Sequence, residues 1–464
     1  MSGIAGILHD IGYTNIIAID AYESQLTHIL KDKGIKTIIG HWKYTVHKDD
    51  TIIYSAAVAE SPEVQAARAL WKTNRHMIIC NYFEFLWEVS KYFISVGIAG
   101  TNGKSSTTAL AISTAKKVLP NFGLGILWAL VPDLDNNSYA INHKKQKQIK
   151  IIFDYILHTK RSHELQHQAF KYLKTLYFFV EACEYKRHFL HLDLDYALIT
   201  SLELDHTDYY KDMNDYKKAF QQLLANVKQG IRYPKGLKIK SLCKTSRAKV
   251  QEVTPKTIPF KHIRGKHNDT NGSLTLALLE ELKNTSKKNS TILNSQLLII
   301  NSLSSFKGLW RRMELLWKNK NWTQIFSDYG HMASSLTLGY ETLKERFPKQ
   351  KLICIFQPHQ INRILTGRND FIQSTKGYDE VIIYDIYAAR ENLSEFVKKV
   401  PALKWITTLK ELGNKFAQAC KGTYIDSLDI ITKKINEASK WDIIVIYSAG
   451  DIDYVLRNNK KIFK

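Results

Sequence analysis

Short apolar runs alternate along this chain with longer stretches in which apolar residues recur at helical spacing, almost from end to end. Such a rhythm predicts strands followed by helices that pack back across parallel sheets, hence α/β layers. Three blocks carry it. In the first, residues 1–88, the opening MSGIAGILHDIGY predicts a helix. TNIIAID, KTIIGH and TIIYSAA predict strands, with ESQLTHILKDKG and SPEVQAARAL as helices. A dinucleotide-type βαβ unit opens on a strand and a glycine-rich turn that cradles pyrophosphate at a helix N-terminus. Here the pattern starts inside that turn.

The second block, residues 89–314, begins with the strand FISVGIAG and enters the amphipathic helix TNGKSSTTALAISTAKKVL. YFFVEACEY and YALITSLELDH predict two more strands with polar ends. No glycine occurs between Gly125 and Gly230, and KKQKQIKIIFDYILHTKRSHELQHQAFKYLKTL reads as a helical insertion or loop. The third block, residues 315–464, repeats the rhythm with the strands TQIFSDY, KLICIFQPH, EVIIYDIYA and DIIVIYSAG. Its 464 residues suit roughly three domains at about 150 residues each.

Composition narrows the class. With 44% hydrophobic and 24% charged residues the chain reads as an ordinary globular protein. Its five cysteines are scattered and form no CxxC pair, which predicts neither a disulfide framework nor a zinc site and fits a reducing cytoplasm. No apolar run reaches the ~18 residues of a membrane span, and the start lacks a basic signal-peptide region. The net charge of +22 would suit nucleic acid if it were clustered. The basic residues are instead dispersed among acidic ones, as on a solvated basic surface, so no nucleic-acid partner is expected.

The chemistry centres on Gly100-Thr101-Asn102-Gly103-Lys104-Ser105, between a predicted strand and a predicted helix. Glycines let backbone N–H groups approach phosphates, and the helix start adds its dipole and unpaired donors. Lys104 can neutralise β- and γ-phosphate charge, and Ser105 offers a hydroxyl to Mg²⁺. The generic GxxxxGK[ST] pattern is not met, since Ile98 holds its first glycine position. Glu181 ends the run YFFV and His206 ends LELDH, both where α/β sites are built. A carboxylate there can bind Mg²⁺, whereas an imidazole is a soft ligand for it and better suited to orienting water or phosphate. Asn268 and Asn271 share a face if HNDTN opens a helix. Arg311 and Arg312 lie at the boundary of the second and third blocks, where a guanidinium fork suits phosphate.

GTNGKSST resembles the GTxGK[ST] loop of the Mur ligases and folylpolyglutamate synthases. MSGIA, YSAAVAESPEVQAA, EACEYKRHFLHL, LELDHTDYY, GKHNDTN, FKGLWRRME, SDYGH, FQPHQINR, DIYAARE and SAGDI follow in the Mur ligase order, so the resemblance spans nearly the whole chain. EACEYKRHFL points within the family to the branch that joins L-alanine to UDP-N-acetylmuramate. The resemblance implies an N-terminal Rossmann-like domain begun inside its turn (1–88), a central P-loop ATPase-like Mur ligase domain (89–314) and a C-terminal Rossmann-like domain (315–464). It also implies a cytoplasmic, ADP-forming ligase of peptidoglycan synthesis, monomeric or homodimeric, using ATP and Mg²⁺ and passing through an acyl phosphate. A sister ligase adding a recycled peptide, or a non-catalytic nucleotide-binding remnant, are the alternatives.

Carried over residue by residue, the resemblance assigns Gly100, Thr101, Asn102, Gly103, Lys104, Ser105 and Ser106, with Asn268, Asn271, Arg312 and Asp328, to ATP. Arg311 is a less defined partner. Lys104, Glu181 and His206 become the catalytic set, and Ser105, Glu181 and His206 the metal side, with Glu184 a supporting carboxylate. His331, His359 and Arg363 face the amino acid. Asp20, Ser24 and Ser55 face the UDP substrate. The chain departs from the family at Gln360, where relatives often carry Arg, and at His331-Met332-Ala333, where they carry HHP. Relatives also carry a strand and GIGGxG ahead of MSGIA, so either the start lies upstream or UDP is held weakly.

Overall fold

The computed structural model describes residues 1–157, 163–286, 292–318, 322–389, 391–399 and 406–458. By internal contacts the chain forms two compact units, Met1–His262 with Asp269–Lys307, and Ile263–Asn268 with Gly308–Lys464. Both are α/β, as the alternation predicts.

In the first unit the N-terminal strands form two parallel pairs. β1 (Ile17–Asp20) pairs with β2 (Lys36–Ile39), and β3 (Thr51–Tyr54) with β4 (Ile78–Asn81), each pair a sheet of its own. A doubly wound sheet joins such pairs through a strand at its switch point. Among the described residues no strand joins β1 to β3. The helices that follow β1, β3 and β4 start on side-chain caps: Ser24 on Thr27 N, Ser61 on Val64 N, and Asn81 on Phe83 and Glu84 N.

The opening helix, Ser2–Asp10, is built into the larger core of this unit. Ile4, Ile7 and Ile11 are buried with Phe85, Leu124, Phe153 and Phe178. Gly3 and Gly6 permit that approach: a Cβ at Gly3 would sit 3.0 Å from Ile126, and one at Gly6 would overlap the Tyr139 ring. Tyr139 cannot easily swing aside, because its hydroxyl donates to Asp10 at 2.5 Å.

The central sheet contains β5 (Ile94–Ala99), β6 (Phe122–Val131), β7 (Asn137–Ile141), β8 (Tyr177–Glu181), β9 (Tyr196–Ile199), β10 (Gly230–Pro234) and β11 (Lys249–Val253), in the order β11-β10-β9-β5-β8-β6-β7. Neighbours run parallel except β6 and β7. β8 and β9 are buried throughout, as expected for strands covered on both faces. The part of the glycine-free stretch ahead of β8 resolves into the end of β6, β7 and the helices Gln146–Leu157 and His163–Phe170; residues 158–162 lie outside the described set. β11 escapes the apolar pattern because KVQEV is an exposed edge strand buried only at Val253.

The second unit holds β12 (Glu314–Lys318), β13 (Gln324–Asp328), β14 (Leu352–Gln357), β15 (Glu380–Tyr384), β16 (Thr423–Ile425) and β17 (Ile443–Ser448). The order is β12-β13-β17-β14-β15-β16, parallel except for β12. Two cores cover its faces, one around Phe326, Phe356 and Phe416, the other around Ile325, Ile355, Ile431 and Ile446. All five cysteines are free thiols, and among the described residues no helix is long and apolar enough to cross a membrane.

The seating of the first helix yields a test. Glycine to alanine inside a helix ordinarily gains about 0.5–1 kcal/mol. At Gly6 the added methyl meets a ring pinned by Asp10, and overpacking of that kind costs about 1–3 kcal/mol. Gly6→Ala is therefore expected to lower stability in urea denaturation.

Candidate active site

In the first unit the site grows from the carboxyl ends of β5, β8, β9 and β6. β5 ends at Ala99, and the helix Lys104–Val118 begins after four residues of loop. The loop turns back because Gly100 and Gly103 take φ of 132° and 83°, where a Cβ is costly. A Cβ on Gly100 would also strike Thr200 and the backbone of Ser201, and one on Gly103 would lie 3.0 Å from Asn271 Oδ1. The segment after β9 braces the loop from outside. Thr101 Oγ1 donates to Glu203 O at 2.6 Å and meets Tyr216 Oη at 2.9 Å. Asn102 N donates to Ser201 Oγ at 2.7 Å, while Asn102 O accepts from Thr200 and Ser201 hydroxyls.

Lys104 folds back beneath this loop. Its ammonium donates to Gly100 O at 2.5 Å, Thr101 O at 3.0 Å and Glu184 Oε1 at 2.9 Å. Glu184 is fully buried, and its other oxygen has no partner. Burial, the largest influence, disfavours the Lys104 charge, but Glu184, Cys183 and Glu181 together outweigh it and hold the ammonium above its ordinary range. Ser105 Oγ donates to Glu181 Oε1 at 2.7 Å, and Trp128 N donates to Glu181 Oε2 at 3.1 Å. His206, in the left-handed region at φ 54°, has Nε2 3.9 Å from Glu184 Oε1 and its ring 4.6 Å from that of Tyr185. Lys104, Ser105, Glu181, Glu184 and His206 thus converge, all named from sequence, with Glu184 the counter-ion of Lys104.

A Mg²⁺ ion fits the oxygens present. Such an ion keeps several waters and takes one or two protein oxygens beside those of phosphate. Ser105 Oγ and Glu181 Oε1 offer two hard oxygens 2.7 Å apart. Among the described residues no three His, Cys, Asp or Glu side chains are grouped to cage a metal without substrate.

Asn268 and Asn271 occupy the first turns of the helix Lys266–Ser286, the i, i+3 arrangement expected. Asn271 is buried against the phosphate loop, whereas Asn268 Nδ2 donates to Arg264 O at 2.7 Å. Ser106 follows in the first turn of its helix, half-buried. On the N-terminal strands, Asp20 accepts from Tyr22 N at 3.2 Å, and Ser24 serves as the cap of its helix. Ser55 precedes a short 3-10 turn without capping it.

The second unit gathers its own polar set at the carboxyl ends of β13, β14 and β17. Asp328 is buried and accepts from Met313 N at 2.8 Å and Gly330 N at 2.7 Å. Burial raises its carboxyl above the usual range, while Arg312 and the two N–H groups pull the other way. Arg311 and Met313 adopt φ of 54° and 47°, a strained turn that sends adjacent guanidiniums apart. Arg311 turns inward to Ser448 O and Asp453, a structural role. Arg312 remains half-exposed, its guanidinium 5.4 Å from the Tyr329 ring centre. His331 and His359 have ring centres 5.9 Å apart, and His359 stacks on Tyr387 at 5.5 Å. Arg363 Nη1 lies 3.3 Å from His359 Nδ1; a guanidinium only donates, so that nitrogen accepts. Gln360, at φ 69°, heads this turn.

Trp128, Tyr216, Tyr329 and Tyr387 were not legible as site residues. Each reads as one more core aromatic: Tyr216 reaches Thr101 from the helix Met213–Asn226, Trp128 lies within β6, and Tyr329 and Tyr387 follow β13 and β15. Glu184 did leave a trace, three residues after Glu181.

Residues 98–275 match the Mur ligase middle domain. A UDP-N-acetylmuramate–L-alanine ligase of Clostridium botulinum is 28% identical over 489 residues, covering 97% of this chain and 93% of the relative. The solved UDP-N-acetylmuramate–alanine ligase of Thermotoga maritima superposes with a TM-score of 0.70 at 18% identity, covering 99% of this chain and 96% of that one. The Mycobacterium tuberculosis folylpolyglutamate synthase, solved with ADP and AMPPCP, reaches 0.54 at 12% identity, covering 82% and 95%.

Two tests follow from the charges. Glu184→Ala leaves the Lys104 ammonium without its carboxylate, and breaking a buried pair from one side costs about 3 kcal/mol or more. Urea denaturation should show that loss, with Glu184→Gln less affected. His188, stacked on Phe83 at 4.1 Å, is pushed down from 6.5 to about 4 by burial, with His191 and Lys186 adding to it. Between those values the unfolded chain carries the extra proton, so stability falls as pH drops from 6.5 to 4. His188→Gln should flatten that slope in denaturation curves at stepped pH.

Proposed function

We propose, from its Mur ligase middle domain and fold, that this chain is an ATP-dependent ligase joining L-alanine to the lactyl carboxylate of UDP-N-acetylmuramate, with release of ADP and phosphate. The observation that carries the reading is the convergence of Lys104, Ser105 and Glu181 at the carboxyl ends of β5 and β8. A glycine loop opening a helix is a phosphate cradle, and an adjacent carboxylate is what a phosphoryl-bridging metal requires.

In the proposed reaction an oxygen of the substrate carboxylate bonds to the γ-phosphorus of ATP as the bond to the β-phosphate oxygen breaks. The products of that step are an acyl phosphate and ADP. The alanine nitrogen then bonds to the acyl carbon, phosphate leaves, and the amine gives up a proton. The loop N–H groups orient the phosphates, and Lys104 moves from Glu184 and the loop carbonyls to the transferring charge. Donors fixed in place before reaction cost no reorganisation, which makes them the main catalytic resource here. Ser105 and Glu181 would hold Mg²⁺, which supplies charge neutralisation at the β- and γ-phosphates. His206 positions a water or phosphate oxygen.

Asn271 supports the nucleotide from the first unit. Asn268, Arg312 and Asp328 are the proposed further ATP contacts, and His331, His359 and Arg363 the proposed amino-acid side, with Arg363 for the carboxylate. Asp20 and Ser55 are the proposed UDP-side residues; Ser24 contributes through the cap it provides. The proposed division of labour is residues 1–88 for UDP, 89–314 for ATP and 315–464 for the amino acid.

The test is phosphate release with ATP, UDP-N-acetylmuramate and L-alanine. Lys104→Ala is expected to lower turnover by about 10²-fold or more, the usual effect of removing a transition-state charge partner. Turnover with a tripeptide in place of L-alanine would reassign the chain to a peptide-adding ligase. Nucleotide binding without any product would reassign it to a non-catalytic role.

A further inference from the structure

Trp128 is tied directly to the proposed metal-side carboxylate: its backbone N–H donates to Glu181 Oε2 at 3.1 Å. It emerges where β6 loses register: pairing with β8 ends at Ile126↔Val180, and pairing with β7 shifts between Ile126 and Val131. Irregularities of this kind re-aim side chains beside active sites. The six residues of β6 before it are buried, yet Trp128 is 44% exposed. Its ring is nevertheless fixed. Nε1–H donates to Tyr82 Oη at 3.1 Å, and Phe83 meets it edge-on at 5.9 Å, itself stacked on His188.

Sheet order decides what such a ring can face. Across the carboxyl ends the sequence β9-β5-β8-β6 places the His206 segment, the phosphate loop, Glu181 and Trp128 in a row. ATP phosphates belong over β5 and the metal-binding carboxylate over β8, so the next position, over β6, is left for the phosphoryl acceptor. Adenine is excluded there, because a nucleotide base lies at the opposite end from the γ-phosphate. A rigid, half-exposed indole offers a π-face to polarised C–H groups, and the apolar face of a pyranose presents a row of them.

We propose that Trp128 is the sugar platform of the acceptor site: its indole face stacks on the pyranose ring of the acceptor and turns the carboxyl-bearing substituent toward the phosphate loop. This rests on the ligase reading and names the part of the substrate that Trp128 selects. The ring is already held by Tyr82 and Phe83, so little further ordering is lost on binding.

Calorimetric titration of the full chain with UDP-N-acetylmuramate and with UDP alone tests it, beside steady-state kinetics. Trp128→Ala should weaken UDP-N-acetylmuramate about tenfold and leave UDP affinity and the KM for ATP unchanged, whereas Trp128→Phe should retain most of the affinity. A residue that merely shields Glu181 would instead change the KM for ATP and lower kcat with the acceptor KM unmoved. Unchanged sugar-nucleotide affinity, or an equal loss for UDP, overturns the platform while leaving the ligase reading intact. A wild-type chain that binds neither compound and releases no phosphate overturns the ligase reading, and the platform with it.

Discussion

The active-site end of the first unit depends on one charge contact, the Lys104 ammonium held between loop carbonyls and the buried Glu184 carboxylate. Neither charge could remain in this interior alone, because an uncompensated ion there costs several kcal/mol. Their pairing draws the loop after β5 against the segment after β8, which brings Ser105 to Glu181. The loop is braced on its other side by Thr200, Ser201 and Glu203 after β9. The loop keeps its shape because the lysine's own partners hold it.

Parallel sheets make the rest of the arrangement economical. Every parallel strand delivers its carboxyl end, and the polar residues that follow, to the same edge. The same logic serves the second unit, where Asp328, His359 and Ser448 close β13, β14 and β17 or follow them directly. There the buried Asp328 anchors the turn carrying two arginines, and strain at Arg311 and Met313 splits them. One guanidinium satisfies backbone carbonyls and Asp453; the other stays half-exposed beside the Tyr329 ring. Two adjacent, identical side chains therefore acquire different work from backbone geometry.

The N-terminal segment shows the opposite economy. Its strands form two small sheets, and its first helix is stabilised by burying Ile4, Ile7 and Ile11 in the core of the larger sheet. Glycines at 3 and 6 permit the close approach to Ile126 and Tyr139.

Residue order alone determined the α/β class, the strands with continuous apolar runs, and the loop from Gly100 to Ser105, since period, glycine placement and helix-start chemistry are local properties. It also marked Glu181, because a polar residue closing an apolar run falls at a strand's end whatever the topology; His206, expected at a strand's end, instead lies in the segment after β9, which stops at Ile199. Edge strands such as β11 stayed hidden, lacking an apolar run to betray them. The use of Glu184 as the lysine's counter-ion, the inward turn of Arg311, and the exposure of Trp128 were decided only by tertiary structure. Each depends on which strands lie side by side, and neighbours in a sheet such as β6 and β8 are separated in the chain by a whole connecting segment.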